Sequence, residues 1–260
     1  MRRFLRRTAD GVGQVALNPL SLQPELYLSA ARGLGLDSVA DGANVLPWPD
    51  QSGVSEFRTA NIIPAGGAAP VMRRSGAHAS ANGGPAVQFD GCVSQLGCST
   101  LTTNVSTANG FSILTYGRYL PAKTPGCNAF GCQIPWQSGG GASTVQTLVD
   151  STVGWKDDLG FHTQPAPVYP FYGLLAWVFN PPNSGANVCN VYAVYPTLRV
   201  TGAWQWFNWQ ASGVSSYYIG SNTVGNCPQQ MDLSALVVYS KALTFGQLAG
   251  IDAFFGGQFG

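Results

Sequence analysis

Between Gly83 and Gly91 the chain reads GGPAVQFDG, and this stretch limits the fold more than any other. Val87 and Phe89 alternate with Gln88 and Asp90, a period of two that fits a strand with one buried face and excludes a helix. A glycine pair with Pro85 opens it and Gly91 closes it, as turn residues bound strands. The alternation recurs in Leu26–Ala30 of PELYLSA and in Leu233, Ala235, Val237 and Tyr239 of DLSALVVYS. FSILTYGRY at Phe111–Tyr119 and the alternating Val188–Val200 read as further strands, with weaker ones at Val145–Val149, Leu159–His162 and Tyr217–Ile219. YGLLAWVF at Tyr172–Phe179 is almost continuously apolar, which predicts a central strand covered on both faces.

Composition agrees with many short strands joined by tight turns: 33 Gly and 17 Pro, with 10% charged residues. Glutamate occurs only at Glu25 and Glu56, and lysine only at Lys123, Lys156 and Lys241. Long helices draw on both, so an α-rich fold is excluded. One helix is expected, at the end. Thr244 reads as its N-cap, Gln247 as the capping-box partner, and Leu243 staples to Leu248. Leu248, Ile251 and Phe255 share a face, and Gly256 is expected to stop it. Pro47–Gly53 (PWPDQSG) is turn chemistry around Trp48, with Asp50 and Ser52 able to bond backbone groups. Gly66–Gly84 has the composition of an exposed loop carrying Arg73, Arg74 and His78.

Charge is unevenly placed. Residues 1–7 hold four of 13 basic residues and no acid, so the other nine against 12 acids leave the body at −3. Residues 1–20 are read as a basic docking arm (Arg2, Arg3, Phe4, Leu5, Arg6, Arg7), and 21–260 as one domain that does not bind nucleic acid through its folded body. Thr8–Asn18 lacks the apolar core of a secretion signal, and Phe171–Phe179 is too short to span a bilayer. A soluble chain made in a cytoplasm is the expectation. Cys92/Cys98, Cys127/Cys132 and Cys189/Cys227 are candidate disulfides, because the first two pairs close short glycine-bearing loops. Six reduced thiols and a zinc site stay open, although no CxxC pair exists and His78 and His162 lie far from the cysteine pairs.

Three motifs then fall in order: WPDQSG at Trp48–Gly53, GGPAVQFDG, and ALVVYSKALTFGQLAGIDAFF at Ala235–Phe255. Together they resemble the concanavalin A-like lectin/glucanase superfamily, in particular the laminin-G-like jelly-roll domains of phage, viral and bacterial surface proteins. The resemblance implies an all-β fold: a two-sheet antiparallel jelly-roll sandwich with a short C-terminal helix, in which Val87, Phe89 and Trp48 are core.

Local catalytic motifs of that superfamily are absent. No E-x-D-x-x-E cluster surrounds Glu25 or Glu56, and the neighbours Asp157 and Asp158 would face opposite sides of a strand. There is no G-x-S-x-G, and His162 with Gln164 stands without the rest of a lyase set. The chain is therefore read as non-enzymatic, with a polysaccharide hydrolase or lyase as the alternative. No cofactor or metal is expected; Asp150, Asp157 and Asp158 could serve a structural calcium but form no D-x-D-x-D pattern. Sugars stack on aromatic rings beside amides. That chemistry selects Trp204, Trp206, Asn208, Trp209, Tyr217 and Tyr218, with Trp155 and Trp136 as further platforms, as candidate glycan contacts. Trp204 and Trp206 share a face, so one face of that segment is core and the other open.

With the arm, these features define the functional expectation. The chain is a virion surface protein, of decoration or tail-associated type, docked through its arm into a capsid or neighbouring subunit. It displays a lectin-like body for adhesion or for capsid stabilisation, with homo-oligomerisation compatible. Its place is the virion surface after synthesis in a host cytoplasm; the alternative is a bacterial carbohydrate-binding module at an extracellular or cell surface.

Overall fold

A computed structural model describes residues 15–52, 69–77, 79, 84–90, 96–102, 110–120, 134–138, 141–147, 152–157, 160–165, 171–180, 189–193, 198–202, 214–219 and 230–259. The larger sheet holds β1 (Leu26–Ser29), β2 (Val71–Arg73), β3 (Ala86–Asp90), β5 (Phe111–Tyr119), β10 (Phe171–Phe179), β11 (Cys189–Ala193), β12 (Leu198–Gly202) and β14 (Gln230–Tyr239). Its order is β12-β11-β10-β5-β14-β3-β2, with β1 also paired to β14. The smaller sheet runs β4 (Leu96–Thr102), β13 (Val214–Ile219), β6 (Ile134–Ser138), β7 (Gly141–Thr147), β8 (Thr152–Asp157) and β9 (Gly160–Pro165). The paired strands are antiparallel, and among the described residues one α-helix, α1 (Phe245–Phe259), closes the all-β sandwich.

The larger sheet is covered on both faces. Alternate residues Leu114, Tyr116, Leu174, Ala176, Val178, Ala235, Val237 and Tyr239 pack with Leu248, Ile251, Phe255 and Phe259 of α1. The opposite parity, with Val87, Phe89, Ile113, Trp177 and Leu233, is equally buried, as the inner face of a sandwich requires. This explains the near-continuous apolar reading of β10, which sits between β5 and β11.

The helix begins as its sequence dictates. Thr244 Oγ1 accepts from the Gln247 N–H at 3.3 Å, and Gln247 Oε1 accepts from the Thr244 N–H at 2.8 Å. It does not stop at Gly256. Two glycines cost about 1 kcal/mol each in a helix, whereas burying Phe255 and Phe259 contributes about 1.5–3 kcal/mol each. Both rings lie on Tyr116, with centroids 5.3 and 5.9 Å away, so packing carries the helix through Gly256-Gly257.

Two further expectations need correction. The tract 66–84 is not wholly an exposed loop: Val71–Arg73 pairs with β3, Met72 is fully buried, and the Arg74 guanidinium donates to the carbonyls of Leu36, Asp37 and Val39 at 2.6–3.2 Å. Val188–Val200 is two antiparallel strands, β11 and β12, with Pro196 in the segment between them.

The WPDQSG turn fastens β1. Trp48 is completely buried and its Nε1 donates to the Ser29 carbonyl at 3.2 Å. Asp50 Oδ1 accepts the backbone N–H groups of Tyr27 and Ser52, and Oδ2 accepts the Ser52 hydroxyl. The motif is thus framework. Ahead of β1, the Leu17 N–H donates to the Gly250 carbonyl, and the Tyr239 hydroxyl donates to the Pro19 carbonyl. Residues 17–19 therefore lie on the helix and β14, and residues 1–14 of the predicted arm fall outside the described residues.

Candidate functional site

Beyond the Phe259 end of α1, the helix-side face of the larger sheet changes character. On β5 the parity runs Leu114, Tyr116, then Arg118; on β10 it runs Val178, Ala176, Leu174, then Tyr172. On β14, Ala235 is followed on this face by Asp232, because a bulge between Leu233 and Ala235 takes up Ser234. Tyr172, Arg118, Asp232 and Gln88 are successive register partners across four strands.

Side chains join along this row. Arg118 Nε and Nη2 donate to Asp232 Oδ2 at 2.6 and 2.5 Å, the two side chains being 12% and 1% exposed. Arg118 Nη1 reaches the Tyr172 hydroxyl at 3.4 Å, and its guanidinium carbon lies 5.8 Å from the ring centroid. Burial works against the Arg118 charge, but the Tyr172 hydroxyl and the Asp232 carboxylate hold the guanidinium above its ordinary value. On the far side, Gln88 Oε1 accepts from Arg73 Nε at 2.6 Å. Gly117 makes the geometry possible: a Cβ there would overlap the Asp232 carbonyl oxygen. The outcome is a partly exposed row of aromatic, guanidinium and amide groups set around a buried carboxylate, chemistry suited to sugar hydroxyls.

The residues selected from sequence belong to other segments of the chain. Trp204, Trp206, Asn208 and Trp209 lie outside the described residues, in the segment joining β12 to β13. Tyr217 and Trp136 are register partners on β13 and β6, and Trp155 pairs with Val145 on one side and His162 on the other. Trp136 also pairs with Ser143 on β7, and Tyr218 pairs with Gly97 on β4. Leu96 and Ile219, register partners on β4 and β13, are fully buried. Of the cysteines, Cys98 lies in β4 and Cys189 in β11; Cys92, Cys127, Cys132 and Cys227 are outside the described residues, as are Asp150 and Asp158. Among the described residues no helix is long and apolar enough to cross a membrane, and no three metal-ligating side chains cluster.

No family model and no curated protein matches the chain in sequence. Solved structures do match in fold. Trypanosoma rangeli sialidase in complex with sialic acid is similar over 96% of this chain and 35% of its own, at 12% identity and TM-score 0.58. Domain 4 of AbnA, a GH43 extracellular arabinanase of Geobacillus stearothermophilus, in complex with arabinotriose, is similar over 88% of this chain and 98% of its own, at 14% identity and TM-score 0.56. The binding domain of Paraclostridial Mosquitocidal Protein 1 follows, over 92% of this chain and 53% of its own, at 12% identity and TM-score 0.51. The chain spans about a third of the sialidase chains it matches. The fold is thus a β-sandwich shared with these structures.

These neighbours correct the non-enzymatic reading, since the same fold recurs within a sialidase and within a domain of an arabinanase. That reading rested on missing local motifs, and local motifs are a poor test of a sheet. Arg118 meets partners 54 and 114 positions away, so a constellation of this kind leaves no short sequence pattern.

Proposed function

We propose that this chain is a carbohydrate-binding β-sandwich domain and that the Tyr172–Arg118–Asp232–Gln88 row holds the saccharide. The observation that carries the reading is the row itself, an aromatic residue and hydrogen-bonding groups aligned across four strands at a partly exposed sheet end. A neighbour of similar fold, the arabinanase domain, was solved with arabinotriose bound, which supports carbohydrate as the ligand class. The test is a glycan array of the full chain, followed by affinity measurements on Tyr172→Ala, Tyr218→Ala, Trp155→Ala and Trp209→Ala. Loss of at least about fivefold for Tyr172→Ala alone supports the row, an aromatic contact being worth on the order of 1 kcal/mol. Loss confined to the other three moves the site to the aromatic set read from sequence, and a wild type silent on every glycan refutes carbohydrate binding.

The finer reading is that the domain is displayed on a virion or similar assembly through its basic segment, Arg2 to Arg7. It rests on the charge placement and on the resemblance of the three ordered motifs to surface jelly rolls. Deleting residues 1–14, which leaves the Leu17–Gly250 contact in place, should abolish incorporation into the particle. Normal incorporation of the truncated chain would remove this reading and leave carbohydrate binding untouched.

A further inference from the structure

The row ends at an arginine whose circumstances differ from its neighbours'. The Arg74 guanidinium is spent on three backbone carbonyls. That of Arg118 is paired with Asp232. Arg73 is held only through Nε, by Gln88 Oε1 at 2.6 Å, and among the described residues its two terminal nitrogens have no carboxylate partner. It is half-buried, on the last strand of the sheet order, whose outer edge bonds residues 42–45, and Nη1 lies beside Gly42, which brings no side chain of its own. Asp41, adjacent to Gly42, accepts from the Arg74 N–H and faces the Ser75 hydroxyl. Asp90 lies on the same face, but four residues along β3 from Ala86, the register partner of Arg73, a separation of about 13 Å.

A guanidinium fixed through Nε presents its remaining N–H groups as an oriented fork, the geometry that matches a planar carboxylate with two parallel hydrogen bonds. The span from β2 to β10 is four strand spacings, about 19 Å, the scale of a short oligosaccharide. Resting on the carbohydrate reading, we infer that the saccharide carries a carboxylate, as uronic and related acidic sugars do. Its carboxylate sits on Arg73 while neutral hydroxyls run along Gln88, Arg118 and Tyr172.

The test uses the full chain in titration calorimetry with three probes: an oligogalacturonate, its methyl ester, and a sulfated oligosaccharide of equal charge. The acid should bind at least about tenfold more tightly than the ester, as one charge-assisted bidentate contact provides. Arg73→Gln should erase that preference, so that acid and ester bind alike. Gln88→Glu, which supplies an internal partner for Arg73, should weaken acid binding in the same way without removing the arginine. Arg73→Lys should recover only part of the preference, because a point charge lacks the fork. Equal binding of acid and ester, or a preference that survives Arg73→Gln, overturns the inference while carbohydrate binding stands. Stronger binding of the sulfated probe than of the acid also overturns it, since general charge attraction would then be enough. If neither uronate probe binds and the array is silent, the carbohydrate reading fails first.

Discussion

The Arg118–Asp232 pair offers the sharpest check on the proposed row, because removing one partner and removing both have opposite expectations. Asp232 is 1% exposed and accepts two N–H bonds from one guanidinium, at 2.6 and 2.5 Å. Replacing it with Leu takes the carboxylate from Arg118 in a setting that is only 12% exposed. Breaking a fully buried pair costs about 3–5 kcal/mol. Arg118 retains some access to water, so about 2–4 kcal/mol is expected for Asp232→Leu, a fall in Tm of roughly 5–12 °C for a chain of this size. Arg118→Met should cost a similar amount, since it takes the guanidinium from a buried carboxylate. The double variant removes both desolvation penalties and should lose less than about 1.5 kcal/mol. Urea midpoints of the four proteins close the cycle, and circular dichroism confirms the fold of each. The double variant also separates structure from function: folded and nearly as stable, it should still lose the acidic saccharide, having lost the arginine beside Tyr172. Additive costs would refute the pairing argument, and full binding by a stable double variant would take the row out of the site.

Three other perturbations test the framework. Asp50→Ala strands the buried Tyr27 N–H and the Ser52 N–H and should cost about 2–4 kcal/mol, whereas Asp50→Asn keeps a carbonyl on both and should cost about 1 or less; denaturant melts check this. Burial raises the Asp50 pKa above 3.8, so the folded chain binds this proton at higher pH than the unfolded one. The wild type should therefore gain stability relative to Asp50→Asn as pH falls toward that range, and a relative loss there would show the sign to be wrong. Gly250→Ala places a Cβ 2.8 Å from Leu17 Cβ and 3.2 Å from the Val15 carbonyl. It should lower Tm despite about 1 kcal/mol gained in helix propensity, and a raised Tm would mean that residues 15–17 move away freely. Deleting residues 1–20 removes the Leu17–Gly250 and Pro19–Tyr239 hydrogen bonds, so thermal melts should show a loss that deletion of 1–14 does not.

What could be read in the sequence follows from where each element gets its stability. Strands buried on one face, such as Ala86–Asp90, or on both, such as Phe171–Phe179, write their environment into their own alternation. Strands of the smaller sheet such as GASTVQT and TVGWKD carry small and polar residues, so little local pattern marks them. Val71–Arg73 is three residues long and takes its definition from β3 and from carbonyls more than 30 positions away that Arg74 bonds. Gly256 failed as a stop because Phe259, three residues further on, has Tyr116 to bury against.

The signal for the polar row was present in a form that single motifs cannot show. On β5 from Leu114, on β10 from Val178 and on β14 from Tyr239, the helix-side parity runs through buried apolar and aromatic residues, then becomes Arg118, Tyr172 and Asp232. Each change alone reads as an ordinary strand terminus. Their coincidence at one register position is what distinguishes a built row from three frayed ends, and it becomes visible only once the strand order is known. Burying a carboxylate to 1% exposure is costly even when paired, and apolar replacements of such pairs are often no less stable. A sandwich with this much apolar surface to pack had a simpler choice at that position. The pair is therefore weak as a stability device and better explained by what Arg118 and Tyr172 present at the open end of the sheet, which is why the double variant, folded and no longer binding, is the outcome that would decide for function.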